Sequence, residues 1–399
     1  MSKHTMSELY QLQGLPLKLK ILMTKRRIRD WVNWYGESGV YISFSGGKDS
    51  TVLLHMAREM YPNLKACFVD TGLEFPEIRK FVKTFENVDI IKPNMGFKQV
   101  CEKYGFPLIS KEISECVYGA KNYLKKISED KTLCGDMSID ELLEHKEVLA
   151  DVLNKRMVNK EGGNNQRLAI MLGMFTKDKN HPIKSRIHSD DLSVFSKEKY
   201  KYLLEAPFYV SHKCCDVMKK APIKKYEKQC NRVPITAQMA SESRLRTQTW
   251  LKNGCNAFDQ KRPISNPMSF WTEQDVLLYI KMYNIPIASV YGEVVVDYEG
   301  MGQLKGQMSI ADYMTASEKE EFELDKPLLK TTGCRRTGCI LCGFGCHLEK
   351  LGQGRFERLR ETHPKVLKSL DIIQNSGITY REAIDWINEN NGKGNIIYY

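Results

Sequence analysis

"YISFSGGKDSTVLLHM", Tyr41 to Met56, is the stretch on which the fold reading turns. An apolar β-branched run from Val40 to Ser45 reads as a strand. "DSTVLLHMAREMY" directly after it reads as a helix. Between them lie Ser45, Gly46, Gly47, Lys48, Asp49 and Ser50. Two glycines without Cβ atoms let an anion approach the backbone. The N–H groups of the helix start then point at that anion, aided by the helix dipole. Lys48 adds a full charge, Ser45, Ser50 and Thr51 supply hydroxyl donors, and Asp49 is placed to hold Mg²⁺ or orient the loop. A Walker A loop, G-x-x-x-x-G-K-S/T, is excluded because Ile42 stands where its first glycine belongs.

Outward from the cradle, a helix is predicted over Leu17 to Tyr35. Further strands are predicted over Leu64 to Asp70, Val88 to Pro93 and Arg232 to Ala240. Strands alternating with helices imply a doubly wound parallel sheet, an α/β fold. Ligands in such sheets bind at the carboxyl ends of strands, where Ser45 and Asp70 fall. "WTEQDVLLYIKMYNI" is predicted helical, capped by Thr272 with Asp275 as the capping-box acid. The expected organisation is a helical segment at 1–39 and the first half of a nucleotide-binding domain at 40–110. A lysine- and glutamate-rich helical insertion follows at 111–205, with a polar break at "NKEGGNNQ". The second half of the domain is 206–300, a cysteine-rich loop 301–350 and a helical C-terminal segment 351–399.

The 399 residues carry a formal net charge of +11, gathered in "KLKILMTKRRIRD", "KKAPIKKYEK" and "CRRTGC". Such clusters suit nucleotides or nucleic acid, or form a solvated lysine-rich surface. No apolar run approaches the roughly 20 residues that span a bilayer, and the first residues lack the apolar core of a secretory signal. The expectation is a cytoplasmic protein with no membrane contact. Twelve cysteines in that setting point to ligands rather than disulfides.

S-G-G-x-D-S matches the PP-loop of ATP pyrophosphatases, which cleave ATP between the α and β phosphates. From there the chain resembles the phosphoadenosine phosphosulfate (PAPS) reductase family, within the adenine nucleotide α-hydrolase superfamily. "FVDTGLEFPE" is similar to the family's second-strand signature, which implies that Asp70, Thr71 and Gly72 face the nucleotide. "HKCCDVMKKAPIKKY" resembles the double-cysteine segment of iron–sulfur members. "ITAQMASESRLRT" is similar to a Glu-Ser-x-x-Arg strand exit, implying Glu242, Ser243 and Arg246 near the nucleotide with Arg244 beside them. "NPMSFWTEQDVLLYIKMYNIPIASVY" matches a Pro-x-x-x-Trp-Thr-x-x-Asp-Val segment read as structural.

Two thiolate sets compete. The resemblance implies Cys214 and Cys215 with Cys339 and Cys342, holding a 4Fe–4S cluster. The local run Cys334, Cys339, Cys342 and Cys346, spaced C-x4-C-x2-C-x3-C, suits a cluster or zinc and resembles the arrangement in DNA phosphorothioation enzymes. Two departures from the family matter. The reductases carry a nucleophilic cysteine in a C-terminal Glu-Cys-Gly-type tail, and here no cysteine follows Cys346. Their PP-loop is usually degraded, and here it is intact. The expected activity is adenylation coupled to sulfur transfer, with Lys48, Asp49 and Arg246 as catalytic groups. ATP, or else PAPS, is the expected nucleotide, with Mg²⁺. Expected partners are a tRNA or DNA acceptor and a sulfur donor or thioredoxin-like protein. A true PAPS or adenylyl-sulfate reductase and a non-catalytic nucleotide sensor are the alternatives. The oligomeric state is not legible.

Overall fold

The computed structural model describes residues 3–157, 164–173, 196–297 and 328–399. Part of the polar break "NKEGGNNQ", residues 174–195 of the expected insertion and residues 301–327 of the expected cysteine-rich loop lie outside the described residues. The chain divides into two compact units. One comprises Met1–Lys92 and Pro222–Ile340, the other Pro93–Ala221 and Leu341–Tyr399.

The first unit is built on a six-stranded sheet. Its strands are β1 (Val40–Ser43), β2 (Ala66–Val69), β3 (Val88–Ile91), β4 (Val233–Ile235), β5 (Asn256–Ala257) and β6 (Ile264–Ser265), in the order β3-β2-β1-β4-β6-β5. All neighbours run parallel except β5 and β6. β1 is the pivot: Ile42 pairs with Ala66 on one side and Ile235 on the other. Tyr41 and Ile42 are wholly buried, as expected of a parallel strand covered on both faces. The chain moves outward from β1 to β3, then returns to β4 on the other side. That reversal makes the switch point at which such sheets bind ligands.

Five helices of this unit matter for the site: α1 (Leu17–Tyr35), α2 (Lys48–Met60), α3 (Pro76–Val82), α4 (Arg244–Asn253) and α5 (Glu273–Met282). α2 buries Val52, Leu53, Leu54, Met56 and Ala57 in the main core, with Trp31 and Ile28 of α1 and Trp271 before α5. α5 has the expected capping box between Thr272 and Asp275. The strand expected over 232–240 stops at Ile235. Its continuation is diverted into a tight turn, because the Glu242 carboxylate accepts the Met239 N–H at 2.9 Å and leads the chain into α4.

The second unit is largely helical in its described part, from Lys111–Ser128 to Asn164–Met171. A short parallel pair joins Leu108–Ile109 to Gly343–Phe344. Tyr380, fully buried, bonds the carbonyls of Pro107 at 3.3 Å and Leu341 at 3.1 Å. No described helix is long and apolar enough to cross a membrane.

Candidate phosphate site and cysteine groups

The cradle lies where the sequence puts it, between β1 and α2. Gly46 has φ +71°, and a Cβ there would meet Val82 Cγ2 at 2.7 Å and Ile78 Cγ2 at 2.8 Å. The turn therefore both needs a left-handed residue and packs too closely for any side chain. Gly46→Ala is expected to cost about 2–4 kcal/mol, the sum of the left-handed penalty and overpacking. The midpoint of urea unfolding reads this, and an unchanged midpoint would contradict the geometry.

Ser50 braces the loop. Its hydroxyl donates to the Gly47 carbonyl at 2.9 Å and accepts the Ser45 N–H at 3.2 Å. Thr51 also donates to the Gly47 carbonyl, at 3.0 Å. The hydroxyls of Ser50 and Thr51, expected as phosphate donors, both lie within hydrogen-bond reach of the Gly47 carbonyl. Ser45 accepts the Gly47 N–H at 3.3 Å and is itself exposed.

Lys48 is only 3% exposed. Its ammonium stands 3.3 Å from Asp49 Oδ1 and 3.3 Å from Glu273 Oε1. Neither oxygen is aligned for a hydrogen bond, and both are buried without one. Arg335 holds the other Glu273 oxygen, Oε2, from Nε at 2.9 Å and Nη2 at 2.5 Å. Burial alone would raise the Glu273 carboxyl, but Arg335 and Lys48 outweigh it and hold it below the usual range. The Lys48 N–H, first of α2, donates to Tyr291 Oη at 3.2 Å, and that hydroxyl lies 2.7 Å from Thr337 Oγ1.

The exit from β4 brings Arg246 to the same place. Its guanidinium pairs with Glu242. Burial and the neighbouring Arg336 lower its pKa, while Asp49 opposes them. Lys48, Arg246, Arg335 and Arg336 thus face Asp49, Glu242 and Glu273, an arrangement with cations in excess. Ser243 caps α4 by accepting the Arg246 N–H at 3.3 Å, and Arg244 is exposed. Asp70 follows β2, but its carboxylate is engaged by the Gly72 N–H at 3.2 Å and Arg79 at 2.9 Å. Thr71 donates its hydroxyl to Glu74. Both shape the loop. The sequence reading missed Glu273, Tyr291 and Thr337, and it read Arg335 and Arg336 only as part of a basic cluster.

The grouped cysteines divide between the units. Cys334 and Cys339 belong to the first; Cys214, Cys215, Cys342 and Cys346 belong to the second. In the second, a hydrogen bond from Cys214 lowers the Cys215 thiol to about 6, helped by Lys111 and Lys219. Burial raises the Tyr380 hydroxyl, and Cys342, Cys101, Cys346 and Cys214 add to that rise. Yet within neither unit do three His, Cys, Asp or Glu side chains among the described residues form a metal-holding group. Within either unit alone the described thiols form no closed cluster or zinc site, and each of the two expected thiolate sets draws members from both units. Mg²⁺ fits better as part of an incoming nucleotide. Asp49 Oδ1, buried and without a hydrogen bond, is the kind of single carboxylate that shares such an ion with phosphates.

Residues 39–135 and 174–343 match the phosphoadenosine phosphosulfate reductase domain family. An uncharacterised protein of Methanocaldococcus jannaschii is 34% identical over 102 residues, which are 23% of this chain and 24% of that protein. The chain therefore spans about a quarter of the curated relative it matches. The crystal structure of a PAPS reductase from Candida auris, in complex with phosphate, aligns over 72% of this chain and 91% of that one. Its identity is 12% and its TM-score 0.33.

Proposed function

The chain belongs to the phosphoadenosine phosphosulfate reductase domain family, a nucleotide-binding and sulfonucleotide-related group, and on that premise we propose that it is an ATP-dependent adenylating enzyme. The observation that carries this reading is the intact cradle with a buried lysine at its floor and three arginines around it. The loop is intact where that of the sulfonucleotide reductases is usually degraded, and an intact loop suits the β and γ phosphates of ATP. The β and γ phosphates would sit on Gly46, Gly47 and Lys48. An acceptor oxygen would then attack the α-phosphorus. The bond from that phosphorus to the bridging oxygen of the β-phosphate breaks, and the acceptor proton passes to solvent. Lys48 and Arg246 would take up the charge that develops on the pyrophosphate. Magnesium carried in with ATP would supply further neutralisation of its phosphates.

The acceptor in this reading is a tRNA or DNA group destined for sulfur, with a separate sulfur donor. The net charge of +11 supports a polyanionic acceptor. The test is incubation with magnesium and ATP labelled at the α-phosphorus, with water as the default acceptor. Labelled AMP with equimolar pyrophosphate is the expected product. Sulfite from PAPS and thioredoxin, with no AMP from ATP, would replace this reading by a reductase. Nucleotide binding with neither product would make the protein a sensor.

A further inference from the structure

In the structure, protein groups already fill the partners of the cradle. Glu273 lies against the Lys48 ammonium, and Tyr291 Oη accepts the Lys48 N–H. A Cβ on Gly47 would meet Tyr291 Oη at 3.2 Å and Thr337 Oγ1 at 3.7 Å, so these hydroxyls cover the loop closely. Arg335, Arg336 and Thr337 come from one segment. It is pinned at one end by Gly333 N–H to Tyr291 O and Cys334 N–H to Val290 O, both 2.8 Å. At the other end Ile340 N–H bonds Leu73 O at 2.7 Å. Between those pins, Arg335 to Gly338 make no backbone–backbone hydrogen bond among the described residues.

The contact between Lys48 and Glu273 is an ion pair that lacks hydrogen-bond alignment. Glu273 Oε1 is buried and otherwise unsatisfied. An aligned, charge-assisted hydrogen bond to a phosphate oxygen would engage the Lys48 ammonium more strongly than this contact does. Arg336 adds a guanidinium with no carboxylate partner among the described residues, and Arg335 is 80% exposed on its outer side. Together these groups place the Glu273 carboxylate between Lys48 and Arg335, with Asp49 as the second carboxylate on Lys48.

We propose that Glu273 is a placeholder for a terminal phosphate, and that Arg335 and Arg336 form the second wall of the polyphosphate site. In this state Glu273 neutralises Lys48 and Arg335. When a triphosphate enters, its terminal oxygens take over Lys48 and Arg335. Glu273 gives way, and the segment Arg335–Gly338 closes on the phosphates. A nucleotide with only an α-phosphate cannot reach both cations and does not displace Glu273. The site therefore selects for triphosphate length. This rests on the ATP reading above and assigns Glu273 and Arg335 opposite effects on binding.

The experiment is calorimetric titration of the full chain with the non-hydrolysable α,β-methylene analogue of ATP, and with AMP. Glu273→Gln removes the competing charge but keeps the shape, and should tighten analogue binding about tenfold. Arg335→Ala removes a phosphate ligand and should weaken it about tenfold. AMP affinity should not move in either variant. Melting temperatures of both variants check that the fold is kept; Arg335 is exposed enough for its removal to be tolerated. If Glu273 and Arg335 are merely a structural pair, both variants change binding in the same direction or leave it alone, and the inference is overturned while the ATP reading stands. If the native chain binds no analogue, the ATP reading fails and this inference with it.

Discussion

Replacing Lys48 with alanine should lower the rate of AMP formation from ATP by about a thousandfold, the scale of losing one preorganised charge at a developing anion. The geometry explains why the effect is so large. Lys48 sits at the first position of α2, so its ammonium and the positive helix end act on the same anion. It is 3% exposed, where Coulomb interactions are screened far less than at the surface. Its loss also leaves the carboxylates of Asp49 and Glu273 without the cation between them, which removes the cradle's excess of cations. Binding and chemistry both suffer, so kcat/KM should fall further than kcat. Removing a buried cation also lowers stability, so the comparison is made at a temperature where circular dichroism shows the variant folded. A folded Lys48→Ala protein that turns over ATP at the native rate would place the reaction elsewhere.

The local features of this site were legible because they are local. A strand, two glycines and a helix occupy consecutive residues, and the backbone alone fixes their relation. The same holds for α1, which spans Leu17–Tyr35 as its apolar spacing predicts, and for the Thr272–Asp275 cap. What the sequence does not show is commitment of side chains over long separations. Asp70 stands at the end of its strand as expected, but nothing in "FVDTGLEFPE" reveals that Arg79, one helix turn into α3, takes its carboxylate. Nor does the spacing reveal that the Ser50 hydroxyl lies 2.9 Å from the Gly47 carbonyl. Glu273 occupies a variable place in the Trp-Thr-x-x-Asp segment, and its role exists only because Arg335 lies opposite. The cysteines show the same limit. Their spacing advertises ligands, while their assembly depends on tertiary placement that spacing does not encode.

Asp275→Ala should cost about 3–5 kcal/mol, the typical penalty for leaving a buried charge without its partner. The capping-box reading assigns Asp275 to the start of α5, where it accepts the Thr272 N–H at 2.7 Å and the Thr272 hydroxyl at 2.8 Å. That role alone is worth about 1 kcal/mol. The same oxygen also holds the Lys20 ammonium at 2.7 Å. Lys20 is 2% exposed, and its other bond is to the Gln13 carbonyl at 2.7 Å. Alanine at 275 therefore strands a cation inside α1's packing face as well as removing a cap. The two contributions separate by substitution. Asp275→Asn keeps an acceptor for Thr272 and removes the charge, so it should lose most of the same stability. Lys20→Met combined with Asp275→Ala should recover much of it, because replacing both members of a buried pair by apolar groups is often neutral. Urea unfolding of the three variants decides this. A single Asp275→Ala protein within about 1 kcal/mol of the native chain would mean that Lys20 finds water or another partner, and that α5 is held by its apolar face alone. If the loss is as large as expected, the pair also matters for the phosphate site. α5 begins with Glu273, and a start that frays would release the carboxylate that faces Lys48.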